Sequence, residues 1–115
     1  AAYGCGGYSP EAHRVDPVQA RTTLETALSS WQLGDSPDAL RQREPQIVVQ
    51  DIDWMAGRTL EEFELLDEGE AVDANLYCRV RLVVADSEQG EAREQTVTYI
   101  VTTSPSLTVF RSMTP

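Results

Sequence analysis

The sequence predicts an α+β fold: one long amino-terminal helix, with a short second helix, packed on a curved antiparallel sheet of four to five strands. Three observations carry this. A capped run with apolar residues at three- and four-residue spacing occupies the first third of the chain. From Gln46 onward the pattern shifts to alternation. The connections between the alternating segments are short and rich in glycine, proline and acids, which makes neighbouring strands antiparallel.

The long helix opens at Asp16-Pro17-Val18-Gln19, with Asp as N-cap, Pro at the first helical position and Gln three residues after the cap. Ala20, Leu24, Ala27, Leu28 and Trp31 form one apolar stripe, and Gly34 ends the helix as a left-handed cap. Ser36-Pro37-Asp38 caps a short helix to about Arg43, and Pro45 stops it. Strands are expected near 46–53, 59–67, 72–85, 91–103 and 107–113.

Parity assigns the two sheet faces. Phe63, Leu65, Cys78, Val80, Leu82, Val97, Tyr99, Val101, Leu107 and Val109 form the inner set that the helix covers. Glu62, Glu64, Arg79, Arg81, Thr96, Thr98 and Thr108 form the outer set, where acid faces Arg across strands. These arginines therefore need no ligand.

Composition excludes several functions. Nine basic residues stand against nineteen acidic ones, a net charge of −10, and all nine cations are Arg. Without Lys there is no Schiff base and no phosphate-cradling Gly-Lys-Ser/Thr loop. The negative field opposes nucleic acid and anionic lipid surfaces. Gly-x-Ser-x-Gly, His-Glu-x-x-His and Cys-x-x-Cys are all missing, so no cofactor or metal site is expected. The acids between Glu61 and Asp73 do not match a calcium loop and read as a solvated hairpin. His13, the single histidine, lies before the helix cap and reads as solvated.

The amino terminus, Ala1-Ala2-Tyr3-Gly4-Cys5-Gly6-Gly7-Tyr8-Ser9-Pro10, resembles the end of a bacterial lipoprotein signal: small residues precede a cysteine and a Gly/Ser run follows it. The resemblance implies a lipid on Cys5, a tether over residues 1–15 before a single domain at 16–115, and a periplasmic or cell-envelope location. A terminus in which Cys5 has no role is the alternative. Cys78 lies on the inner parity and reads as a buried free thiol rather than a partner for Cys5.

One helix followed by a curved sheet, over about residues 17–113, resembles the cystatin-like and nuclear transport factor 2-like architecture. That architecture serves inhibitors, isomerases, cyclases and association domains alike, so it implies a fold before a function. The inhibitory Gln-x-Val-x-Gly loop of cystatins is not met, because Gln50 stands where Gln46-Ile47-Val48-Val49-Gln50 would need glycine. Isomerases and cyclases of this architecture use acids and proton donors in an apolar cone. The candidates here are Asp51, Asp53, Tyr77 and Tyr99.

On a strand, Asp51 and Asp53 would share a face about 6–7 Å apart. Val48, Ile52 and Trp54 would then be the buried side, which leaves both aspartates in water, with Tyr99 packed in the core and its hydroxyl at the rim. The sequence thus points to a non-catalytic exported domain whose sheet or helix edge binds a protein partner or a small ligand. A cone-pocket enzyme using the acids and tyrosines is the alternative. Self-association as a homodimer through the sheet is a third reading, with Phe110 and Leu66 as apolar seeds on the outer parity.

Overall fold

The computed structural model describes residues 14–86 and 90–113. Helix α1 (Pro17–Gln32) begins where Asp16 accepts from the amides of Val18 and Gln19, both at 3.1 Å. It ends at Leu33, and Gly34 takes φ +95°, a conformation open to glycine without strain. The residues before it are held too, because the Val15 amide donates to the Asp73 carbonyl at 2.9 Å and the Val15 side chain is buried. The expected stripe Ala20, Leu24, Ala27, Leu28 and Trp31 is the buried face of α1. Helix α2 spans Pro37–Arg41 and buries Leu40.

The rest of the chain forms β1 (Ile47–Gln50), a one-turn helix α3 (Ile52–Met55), β2 (Thr59–Leu65), β3 (Glu70–Val72), β4 (Asn75–Ala85), β5 (Ala92–Thr102) and β6 (Leu107–Arg111). The fold is α+β, with the long helix laid on a sheet curled into a half-barrel. Strand order is β1-β6-β5-β4-β2, and β3 pairs with β4 beside β2.

Two expectations about the sheet are corrected. Besides the five strands in that order it carries a sixth, because the segment expected as one strand over 72–85 is split: Val72 belongs to β3, β4 begins at Asn75, and β2 and β3 pair with successive stretches of β4. Gly69 stands just before β3 with φ +91°, and a Cβ there would lie 2.9 Å from the Leu76 side chain. The sheet is also mixed rather than antiparallel: β1 runs parallel to β6, Ile47 beside Leu107 and Val49 beside Val109. A parallel pair needs a long crossover. Here the intervening strands supply it, since β1 and β6 are the first and last strands of the chain.

The inner parity set faces α1. Cys78, Val80, Leu82, Tyr99, Val101, Leu107 and Val109 are buried, while Phe63, Leu65 and Val97 pack at the margin of the core. A register shift between Leu60 and Glu62 lets Leu60, of opposite parity to Phe63, reach the core as well. On the outer face Arg81 reaches Glu62 at 3.3 Å, Glu64 at 3.2 Å and Glu94 at 3.8 Å, the cross-strand charge pairing the sequence implied. The same face carries Phe110, Ile100 and Tyr77 as successive cross-strand partners, which form an apolar row across three strands.

Candidate functional site

The segment expected to be the end of a strand turns instead. Asp51 is the N-cap of α3, its Oδ1 accepting from the amides of Asp53 at 2.9 Å and Trp54 at 3.2 Å. This capping geometry replaces the extended backbone that would have placed Asp51 and Asp53 together on a solvated face. Both aspartates are buried, Asp51 at 2% and Asp53 at 9% relative exposure. Ile52, expected inside, is exposed, and Trp54 is buried as expected.

Burial of the two carboxylates is matched by four donor side chains from three other segments. Arg111, on β6, places Nη1 3.0 Å from Asp51 Oδ1 and 2.6 Å from Asp53 Oδ2. The Tyr99 hydroxyl, on β5, donates to Asp51 Oδ2. Gln95 Nε2, also on β5, donates to Asp53 Oδ2 at 2.9 Å, and Arg58 Nη1 donates to Asp53 Oδ1 at 3.1 Å. Two carboxylates thus face two guanidiniums, and each carboxylate oxygen accepts at least one hydrogen bond. Tyr99 is accordingly buried to its hydroxyl rather than open at the rim.

The electrostatics follow from these partners. Burial alone raises the Asp53 carboxyl, but hydrogen bonds from Arg111 and Gln95, with the charges of Arg111 and Arg58, outweigh it and hold the group below the usual carboxylate range. Tyr99 is pushed well above an ordinary phenol by burial, by the Asp51 charge and by its bond to Asp51. For Arg111 burial works against the charged form, yet the bond to Asp53 and the neighbouring negative charges raise it further. A general base needs a free lone pair and a carboxyl tuned upward toward the working pH. Asp53 is tuned downward and its oxygens are occupied. The arrangement therefore acts as an ionic staple joining β5, β6 and α3.

Of the four acid and tyrosine candidates, the structure joins Asp51, Asp53 and Tyr99 and leaves Tyr77 out, half-exposed on the opposite face. Arg111, Arg58 and Gln95 were not anticipated. For two of them the signal was present: Gln95 continues the inner parity of Val97 and Tyr99, and Arg111 continues that of Leu107 and Val109. A polar side chain on a core-facing parity requires a buried partner. Cys78 is a buried free thiol, and burial first, then the Asp67 charge, pushes it up to about 11. Cys5 and His13 lie outside the described residues.

Beside the staple lies an open groove of about 660 Å³ between the end of α1, α2, β1 and α3. Its floor is a pair of stacked indoles, Trp31 and Trp54, with centroids 5.4 Å apart and planes 6° from parallel. Each indole N–H is bound to backbone, Trp31 to the Arg58 carbonyl and Trp54 to the Asp35 carbonyl, both at 2.8 Å. These bonds fix the two loops that form the rim. Pro37, Val49 and Met55 add apolar wall, and Asp35, Asp38, Arg41 and Arg58 add charge. Asp51, Asp53, Tyr99 and Arg111 do not line it.

No protein-family model, curated protein or solved structure matches the chain.

Proposed function

We propose that the protein is a non-catalytic binding domain and that the groove over Trp31 and Trp54 receives its ligand. The observation that carries this reading is that the acids and the tyrosine are charge-balanced under Arg111 and do not line the open concavity, which shares Arg58 with their cluster and has apolar walls and convergent polar groups of its own. A volume of about 660 Å³ suits a small organic molecule. The tied indole N–H groups keep the groove pre-formed, which lowers the ordering cost of binding.

The long helix on a curled sheet supports the cystatin-like and nuclear transport factor 2-like reading. The Cys5 segment supports export and tethering at a cell envelope through its sequence alone. Amide NMR with small amphipathic probes tests the binding reading. Shifts confined to Gly34–Asp38, Gln50, Trp54–Thr59 and the two indole N–H signals are expected. Shifts centred on Tyr99 and Arg111 would favour the cone-pocket enzyme instead.

A second reading, association of two copies through the outer face, is favoured by the row Phe110–Ile100–Tyr77, whose two ends are each 37% exposed. Sedimentation of the wild type against Phe110→Ser tests it. A dimer lost on substitution supports association, and a monomeric wild type removes it.

A further inference from the structure

We propose that the outer sheet face binds a second copy of this chain about a two-fold axis running along β5 through Ile100 and Thr102, so that Tyr77 of each copy packs on Phe110 of the other. This rests on the association reading and adds the symmetry and the residue pairs of the contact.

Two neighbouring rows on this face carry the inference. Glu70, Tyr77, Ile100, Phe110 and Gln50 are successive cross-strand partners from β3 to β1. Two residues away on each strand, and so on the same face, stand Val72, Asn75, Thr102, Thr108 and Val48. Asn75 comes beside Thr102 one step past the Leu76–Val101 pair. Both rows read alike in either direction from β5. Aromatic rings flank Ile100, small polar side chains flank Thr102, and a valine closes each end of the second row. A two-fold interface needs this pattern, because it sets residue i of one copy on residue j of the other while j meets i.

The two rows are also inexpensive to cover. In a chain of net charge −10, Glu70 at the edge is their single charged residue, and the axis sets it against Gln50 of the other copy. The Thr108 hydroxyl donates to Thr102 Oγ1 at 2.6 Å, and Thr102 donates to the Ser106 carbonyl at 3.0 Å. Neither hydroxyl is therefore left without a partner when water is removed. Tyr77 and Phe110 are each 37% exposed and Val72 44%, which is the apolar area to be gained. Charge returns in the next row at Arg79, opposite Thr98 and exposed, as the polar rim of an interface does.

The position of Arg79 also selects the axis. A two-fold running across the strands, along the first row, would stack Tyr77 on Tyr77 and lay the Asn75–Thr102 row over Arg79. That buries a cation with no acid opposite it. The axis along β5 sets the uncharged rows on each other and leaves Arg79 at the rim.

The test is sedimentation of the intact chain at about 100 μM, where a contact of micromolar affinity is populated. A dimer is expected that tightens as salt rises, because screening weakens the repulsion between two copies of charge −10. Tyr77→Arg and Phe110→Glu should each weaken it about tenfold or more, as the loss of an aromatic anchor does. Both substitutions in one chain should restore it, because the introduced charges meet across the axis. Within one copy they stand two strand spacings apart, about 10 Å. Ile100→Cys, in a chain that also carries Cys5→Ser, should cross-link to its own counterpart on mild oxidation, since Cys78 is buried. Should a charged variant fail to fold, by circular dichroism, the Ile100→Cys cross-link decides the question. A dimer that the double substitution does not restore and Ile100→Cys does not cross-link overturns this axis and leaves association standing. A wild type that stays monomeric in high salt overturns both.

Discussion

Tyr99 and Arg111 are cross-strand partners on β5 and β6, and both reach across to the same carboxylate, Asp51. That pairing ties the terminal strand of the sheet to the turn after β1, two segments sixty residues apart in sequence. The parallel alignment of β1 and β6 makes the reach short, since Gln50 lies beside Phe110 and their successors are Asp51 and Arg111. The staple is therefore a consequence of the mixed sheet. Its polar groups lie at the end of the core, where β1 stops and α3 begins.

Removing the cation tests the staple from one side. Arg111→Met should destabilise the fold by about 3–5 kcal/mol, because two carboxylates are left buried with fewer donors. Urea denaturation measures it. A change below about 1 kcal/mol, the size of a surface pair, would mean that water already compensates these charges.

The two aspartate caps should differ in cost although both accept from two backbone amides. Asp16→Ala should lose about 1 kcal/mol, the ordinary value of an N-cap, since Asp16 is exposed. Asp51→Ala should lose about 3 kcal/mol or more, because the buried Tyr99 hydroxyl and Arg111 lose an acceptor along with the cap. Equal losses, read from thermal melts, would reduce Asp51 to a cap alone.

The stacked indoles should couple. Trp31→Ala and Trp54→Ala should each cost about 3–5 kcal/mol, and a double-mutant cycle should return about 0.5–1.5 kcal/mol of pairwise energy from the ring contact. Additive losses would show that each ring packs independently and that the groove floor is not one unit.

How much of this was readable in the chain depends on which interactions are local. The Asp16 cap, the apolar stripe of α1, the Gly34 terminus and the inner parity of β4 to β6 are local patterns, and the structure carries them as expected. Asp51-Ile52-Asp53-Trp54 alternates polar and apolar as a strand would. The competing signal was Asp51 as a cap with Gly57, at φ +86°, just past the end of one helical turn. Capping prevailed because Asp51 also gains Tyr99 and Arg111, which are distant in sequence and invisible to a local pattern. The parallel β1–β6 pairing was hidden for the same reason, since short turns report only on consecutive strands. Gln95 and Arg111 were legible as polar residues on a buried parity. Arg58, one residue before β2, carried no such mark.

On the proposed non-catalytic reading, Asp53 belongs to a charge-balanced structural cluster and not to an acid–base centre. Carboxyl-carbon NMR titration of Asp53 in the folded protein tests it most directly. The two arginines should hold its midpoint below the unfolded value of about 3.9. A depressed folded pKa contributes stability that is fully present above the unfolded value and is lost as pH falls through the folded one. The wild type should therefore lose its stability advantage over Asp53→Asn on acidification across that window. A midpoint above the ordinary carboxyl range, together with an Asp53→Asn variant more stable than the wild type at neutral pH, would instead identify Asp53 as a poised base.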